Sequence, residues 1–222
     1  VTEVSLINSF TARAIAREAH RLQPPERKVD LLCSASSIRM PPSVKRVALV
    51  MALLFLAGLA VGSAAAGHLG EFLEQLRDSL PVRQLLGNRP LLALLILSNN
   101  MRVLLIMLVS SVTVVGPAII VFVNGVIAGA VLALSSSKLP PEAILLSVLP
   151  HGVVEIPAFV YAASISTVFG IALWERVLKK GELGGHAKQL LTGILVSALL
   201  IVVAALIEAY VTTALLLDYL QP

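Results

Sequence analysis

The residues able to do chemistry in this chain are few, and they sit inside apolar stretches. Asn99, Asn100 and Arg102 lie in one stretch, Asn124 in the next, His151 and Glu155 in a third, and Glu208 in the last. A histidine four residues before a glutamate shares a helix face with it. An imidazole beside a carboxylate is a start for proton transfer, ion passage or metal ligation. The surroundings of that pair are unusual. Pro150 lacks a donor, and Pro157 disrupts the turn holding the carbonyl of Val153. Gly152 adds a permissive backbone. Pro150, Gly152 and Pro157 therefore predict a kinked or broken helix. Non-helical backbone inside a membrane is tolerated only within protein or against a water-filled cavity.

Three readings follow. In the first, the polar residues form a buried clasp: Arg102 neutralises Glu155 or Glu208, and Asn99, Asn100, Asn124 and His151 complete the hydrogen bonds. In the second, they line a substrate or ion pathway, as in transporters with discontinuous helices. In the third, His151 and Glu155 act as a catalytic base pair or as metal ligands. A zinc site wants three protein ligands of suitable type. His151, Glu155 and Glu208 are of that type, but nothing in their spacing requires a metal, and there is no H-E-x-x-H. His20 precedes the apolar stretches, and His68 and His186 fall at their ends. The G-x-S-x-G elbow of serine hydrolases is absent, as is a phosphate loop. No catalytic residue, metal or cofactor is assigned from the sequence.

The elements that must position these residues follow from composition. Of 222 residues, 57% are hydrophobic and 14% charged, against about 45–50% and about 25% in a soluble domain. The whole net charge of +4 lies before Val47. So little charge excludes an ordinary soluble enzyme, and Cys33, the single cysteine, excludes a disulfide scaffold. The basic pI is no nucleic-acid signal, because the charge sits in a tail without aromatic interleaving. Residues 1–44 read as a basic, mobile cytoplasmic tail and 45–222 as a helical membrane domain. About 20 apolar residues span a bilayer, which gives five spans near 47–67, 91–115, 117–136, 143–174 and 189–217. The break at Gly116-Pro117 is tight, so the second and third helices are expected to be antiparallel neighbours. Glu71 to Pro90 repeats leucines near helical spacing among charges and reads as an interfacial amphipathic helix, bent at Pro81.

At about 1.5 Å of rise per residue, the seven polar residues lie about 12–20 Å below one common membrane edge. They form a predicted buried polar cluster in the outer half of the bilayer. Gly58 with Gly62, and Gly125 with Gly129, are G-x-x-x-G pairs that let helix backbones approach closely. They predict packing within the bundle more than a dimer seam. Lys45, Arg46, Arg176, Lys179, Lys180 and Lys188 fall on one side, and Arg77, Arg83, Arg89 and Lys138 on the other. The positive-inside rule then places the N-terminus in the cytoplasm and the C-terminus outside, in the cell membrane. Trp174 falls at an interface, where indoles concentrate.

Four blocks occur in order: Asn99-Asn100-Met101-Arg102; Asn124-Gly125 with Gly129; Pro150-His151-Gly152-Val153-Val154-Glu155-Ile156-Pro157-Ala158; and Ile207-Glu208-Ala209-Tyr210. Together they resemble the signature blocks of the stage II sporulation protein M family, over about 47–217. The resemblance implies a multi-pass membrane protein of bacteria and archaea. In spore formers, such a protein acts as a membrane scaffold with a peptidoglycan-degrading pair during engulfment. The family often carries proline soon after its last block, where this chain has Thr212-Thr213-Ala214. The expectation is thus an all-α bundle that scaffolds or anchors a cell-envelope complex, with a transporter or permease as the alternative and an intramembrane enzyme as a second. Its partners would be the lipid bilayer and envelope proteins, or a second copy in a homo-oligomer, with no nucleic acid.

Overall fold

A computed structural model describes residues 42–68, 70, 87–178 and 183–220, which belong to one compact unit. The tail and the amphipathic segment 71–86 lie outside the described residues. All regular structure described is helical: α1 (Pro42–Ala64), α2 (Arg89–Ser110), α3 (Gly116–Ser136), α4 (Pro141–Val177), α5 (Gly184–Leu206) and α6 (Thr213–Leu220). A π turn, Ile207–Thr212, joins α5 to α6 into one span. Among the described residues, five helices are long and apolar enough to cross a membrane, as the apolar runs predict.

Local sequence explains the helix starts. Asn88 caps α2, its side chain accepting from the Leu91 N–H at 3.1 Å, with Pro90 in the first turn where no donor is needed. Pro140 is extended and Pro141 opens α4. Each span then divides into two faces. Leu49, Leu53 and Leu56 of α1, Ile119, Val123 and Ile127 of α3, and Leu191, Leu195 and Leu199 of α5 are exposed at helical spacing. Such stripes are unfavourable in water and suit acyl chains. The opposite faces meet in a core of Met51, Leu104, Met107, Val121, Phe159 and Ile201.

α4 is the central post. In its most apolar stretch 61% of residues are buried, against 22% in α1. Small residues, Ala162, Ala163, Ser164 and Ser166, let neighbours close on it. Its 37 residues make a rod of about 55 Å, longer than the apolar core it crosses.

α1 and α3 form the most extensive helix pair. The two G-x-x-x-G pairs face each other there. A Cβ on Gly58 would meet the Phe122 carbonyl and one on Gly62 the Val126 carbonyl. Conversely, Gly125 lies against the Phe55 carbonyl and Gly129 against that of Leu59. Ser63 Oγ adds a hydrogen bond to the Gly129 carbonyl at 3.1 Å. This contact makes α1 the chief partner of α3. The tight connection does bring α2 against α3, but over a smaller area.

That connection is strained. Ser111–Thr113 forms one 3₁₀ turn, and Val114 follows at φ 63°. The Val115 N–H then bonds back to the Thr113 carbonyl at 2.7 Å, the mark of a γ-turn. A β-branched residue at positive φ is a genuine outlier, costing about 1–3 kcal/mol. α4 holds the turn in place. Trp174 Nε1 donates to the Val112 carbonyl at 2.8 Å and Thr167 Oγ1 to the Val114 carbonyl at 3.3 Å. Gly170 leaves room for the Ser111 carbonyl. Trp174→Phe keeps most of the ring and loses the donor. It should lower unfolding stability in detergent by about 1 kcal/mol, read from denaturant titration beside wild type.

Candidate functional site

α4 presents His151 and Glu155 on one face, because the helix is continuous. Of the kinked or broken helix expected here, the break is corrected: Pro141–Val177 stays helical through Pro150 and Pro157. The prolines are seven residues apart, so the carbonyls they free lie along one side of the helix. Pro157 itself is exposed. Gly152 is buried as an ordinary helical residue, and an added Cβ would meet only Val148 and Ile156 of its own helix at 3.6 and 3.8 Å.

The irregular backbone lies instead in the fifth span, at Glu208. The Thr213 N–H bonds to the Glu208 carbonyl, an i to i+5 bond. Thr213 Oγ1 donates to the same carbonyl at 2.9 Å. Arg89 Nη1 reaches the Tyr210 carbonyl at 3.4 Å, the far end of hydrogen-bonding range. π turns mark functional sites more often than chance. Sequence reasoning missed this element. The available signal was Thr212-Thr213, since threonine hydroxyls inside helices bond back to the preceding turn.

The three ionisable residues converge. One atom each of His151, Glu155 and Glu208 lies within 4.8 Å of the others, and all three residues are half-buried. The Glu155 and Glu208 carboxylates are near enough to repel. Asn100 of α2, only 6% exposed, directs its amide at Glu155. Its Nδ2 still lacks a partner at full hydrogen-bonding geometry, so the contact is loose, and His151 Nδ1 is also buried without a partner. Thr212, in the π turn beside the site, is buried with its hydroxyl unpartnered.

The remaining predicted cluster members are elsewhere. Arg102 is exposed on α2, and among the described residues it makes no ion pair. Asn99 is likewise exposed. Both face away because Asn100 takes the inward position, and helix neighbours one and two residues off point about 100° and 200° from it. Asn124 is half-buried and spends its Nδ2 on the Ile120 carbonyl of its own helix at 2.8 Å. The clasp through Arg102 is therefore corrected: among the described residues no basic side chain pairs with the two carboxylates.

These features define a class: a polytopic helical membrane protein, in contact with lipid, whose bundle encloses an imidazole and two carboxylates. The profile of stage II sporulation protein M matches residues 51–213. The chain belongs to that family. A relative, an uncharacterized protein of Methanocaldococcus jannaschii, is 32% identical over 126 residues, covering 53% of this chain and 68% of that protein. No solved structure matches.

Proposed function

We propose that this protein is a cation-handling membrane protein of the permease type, with His151, Glu155 and Glu208 as its charge-binding site. It sits in the cell membrane with the start of α1 on the cytoplasmic side, an orientation supported by the lysines and arginines near the span ends. The observation that carries the reading is two carboxylates and an imidazole within 4.8 Å, with no basic side chain paired with them among the described residues. Ionisable groups inside a membrane cost about 2.5–3.5 kcal/mol each on insertion scales. A purely structural cluster would carry its own counter-charge, as the Arg102 clasp would have done. Among the described residues nothing supplies that counter-charge, and a bound cation would. The π turn at Glu208 supports the same reading, since transport sites form where membrane helices are irregular.

The test uses purified protein in liposomes with an imposed cation or proton gradient. Wild type should dissipate the gradient, Glu155→Gln should lower the rate at least about 10-fold, and Arg102→Leu should leave it within about 2-fold. Equal rates in protein-free and wild-type liposomes for protons, sodium and divalent cations would refute the reading.

A further inference from the structure

The atoms around the cluster narrow what kind of cation it takes. We propose that His151, Glu155 and Glu208 form a site for a first-row divalent cation of the zinc type, with Asn100 as the residue that orients Glu155. The inference rests on the reading above that the cluster takes up a cation.

The donor set argues for this class. One imidazole nitrogen with two carboxylate oxygens suits zinc and its neighbours, whereas magnesium and calcium prefer oxygen alone. Three protein ligands with an open position is the pattern of reactive zinc sites. Charge agrees, because a divalent cation cancels two carboxylates and leaves a neutral site in an apolar bundle. Geometry agrees as well. Ligand distances of about 2.0–2.2 Å place tetrahedral donor atoms about 3.4 Å apart. The three atoms lie within 4.8 Å, so side-chain movement of roughly 1 Å closes the set. His151 and Glu155 come from one face of a continuous helix, and Glu208 is brought across from the π turn.

A second observation points to a ligand independently. Asn100 is 6% exposed, is aimed at Glu155, and has an unpartnered Nδ2. Unmade hydrogen bonds on buried amides are costly. Ligating carboxylates are themselves usually hydrogen-bonded by a second residue. Drawing Glu155 onto a cation would let Asn100 complete that bond. His151 Nδ1, buried without a partner, belongs to the same ring and would be satisfied as a ligand or by the rearrangement around one.

The full chain, purified in detergent and stripped with chelator, is titrated with Zn²⁺ alone by calorimetry and with Co²⁺ alone by visible absorption. The expected result is one ion per chain and a Co²⁺ d–d band of low-coordinate geometry. His151→Ala and Glu208→Gln should each weaken binding by more than about 100-fold, and Asn100→Ala by about 10–100-fold. Asn99→Ala, on the exposed side of the same turn, should bind as wild type. Glu155→Asp is the variant to use if Glu208→Gln does not elute as a single species; it should retain binding with a shifted Co²⁺ spectrum. No stoichiometric Zn²⁺ or Co²⁺ in wild type, or equal binding in His151→Ala and Glu208→Gln, overturns the inference. Loss of metal binding alongside Glu155-dependent flux of protons or sodium would overturn the metal while leaving permease function standing. Stoichiometric Zn²⁺ without any flux would support the metal site and remove the permease reading.

Discussion

Replacing Gly62 and Gly129 together by valine should abolish the folded bundle. An added Cβ at either position collides with a backbone carbonyl, of Val126 and of Leu59 respectively. A flexible side chain could turn aside, but a helix backbone moves only if the whole helix moves. Overpacking costs about 1–3 kcal/mol per site where neighbours can adjust. Here both collisions fall in the most extensive helix contact among the described residues, so the sum should exceed the upper end of that range. The measurement is the fraction recovered as a single species in detergent, with unfolding midpoints for the single variants. Gly67→Ala is the control, because nothing lies within 4 Å of where its Cβ would stand, and it should be neutral or slightly stabilising. A double variant that melts like wild type would show that the α1–α3 crossing does not hold the bundle together.

The second large effect has the opposite sign. Glu155→Gln combined with Glu208→Leu should make the bundle more stable in the absence of added metal. Among the described residues neither acid has a basic partner, and replacing buried charge by uncharged side chains of similar volume stabilises by about 1–4 kcal/mol in favourable cases. The same change removes two of the three proposed ligands, so cation flux should fall to the protein-free level. A gain in unfolding stability with loss of flux is the signature of a site kept for function against stability. A double variant that unfolds more easily than wild type would instead assign the acids a structural role. Arg102→Leu separates the cases further. Arg102 is exposed and makes no ion pair among the described residues, so that change should stay within about 0.5 kcal/mol.

Much of the architecture could be read from the sequence because its signals are local or periodic. Five apolar runs of sufficient length predict five helices, and those helices are present. What packs against what was less legible. Gly116-Pro117 pointed to α2 as the neighbour of α3, yet the glycines at 58, 62, 125 and 129 bring α1 there more extensively, since backbone contact excludes any larger residue. In the site, depth arithmetic placed seven polar residues at one level, but level alone does not give direction around the helix axis. Asn100 points inward, so Asn99 and Arg102 point elsewhere. The irregular turn was misplaced for a related reason. Proline is the familiar helix breaker, yet α4 stays helical through two of them, Pro150 half-buried and Pro157 exposed. The extra residue of the π turn leaves no comparable mark, because Ile207–Thr212 contains neither glycine nor proline.

That turn also sets the rotational phase of the fifth span. A helix of 3.6 residues per turn advances about 100° per residue, so one residue absorbed in a wide turn shifts every later side chain by about that angle. α5 and α6 therefore need not present the same face to α4. The azimuth at which α5 meets the bundle and the azimuth of α6 are set separately, and Glu208 stands at the point where one gives way to the other.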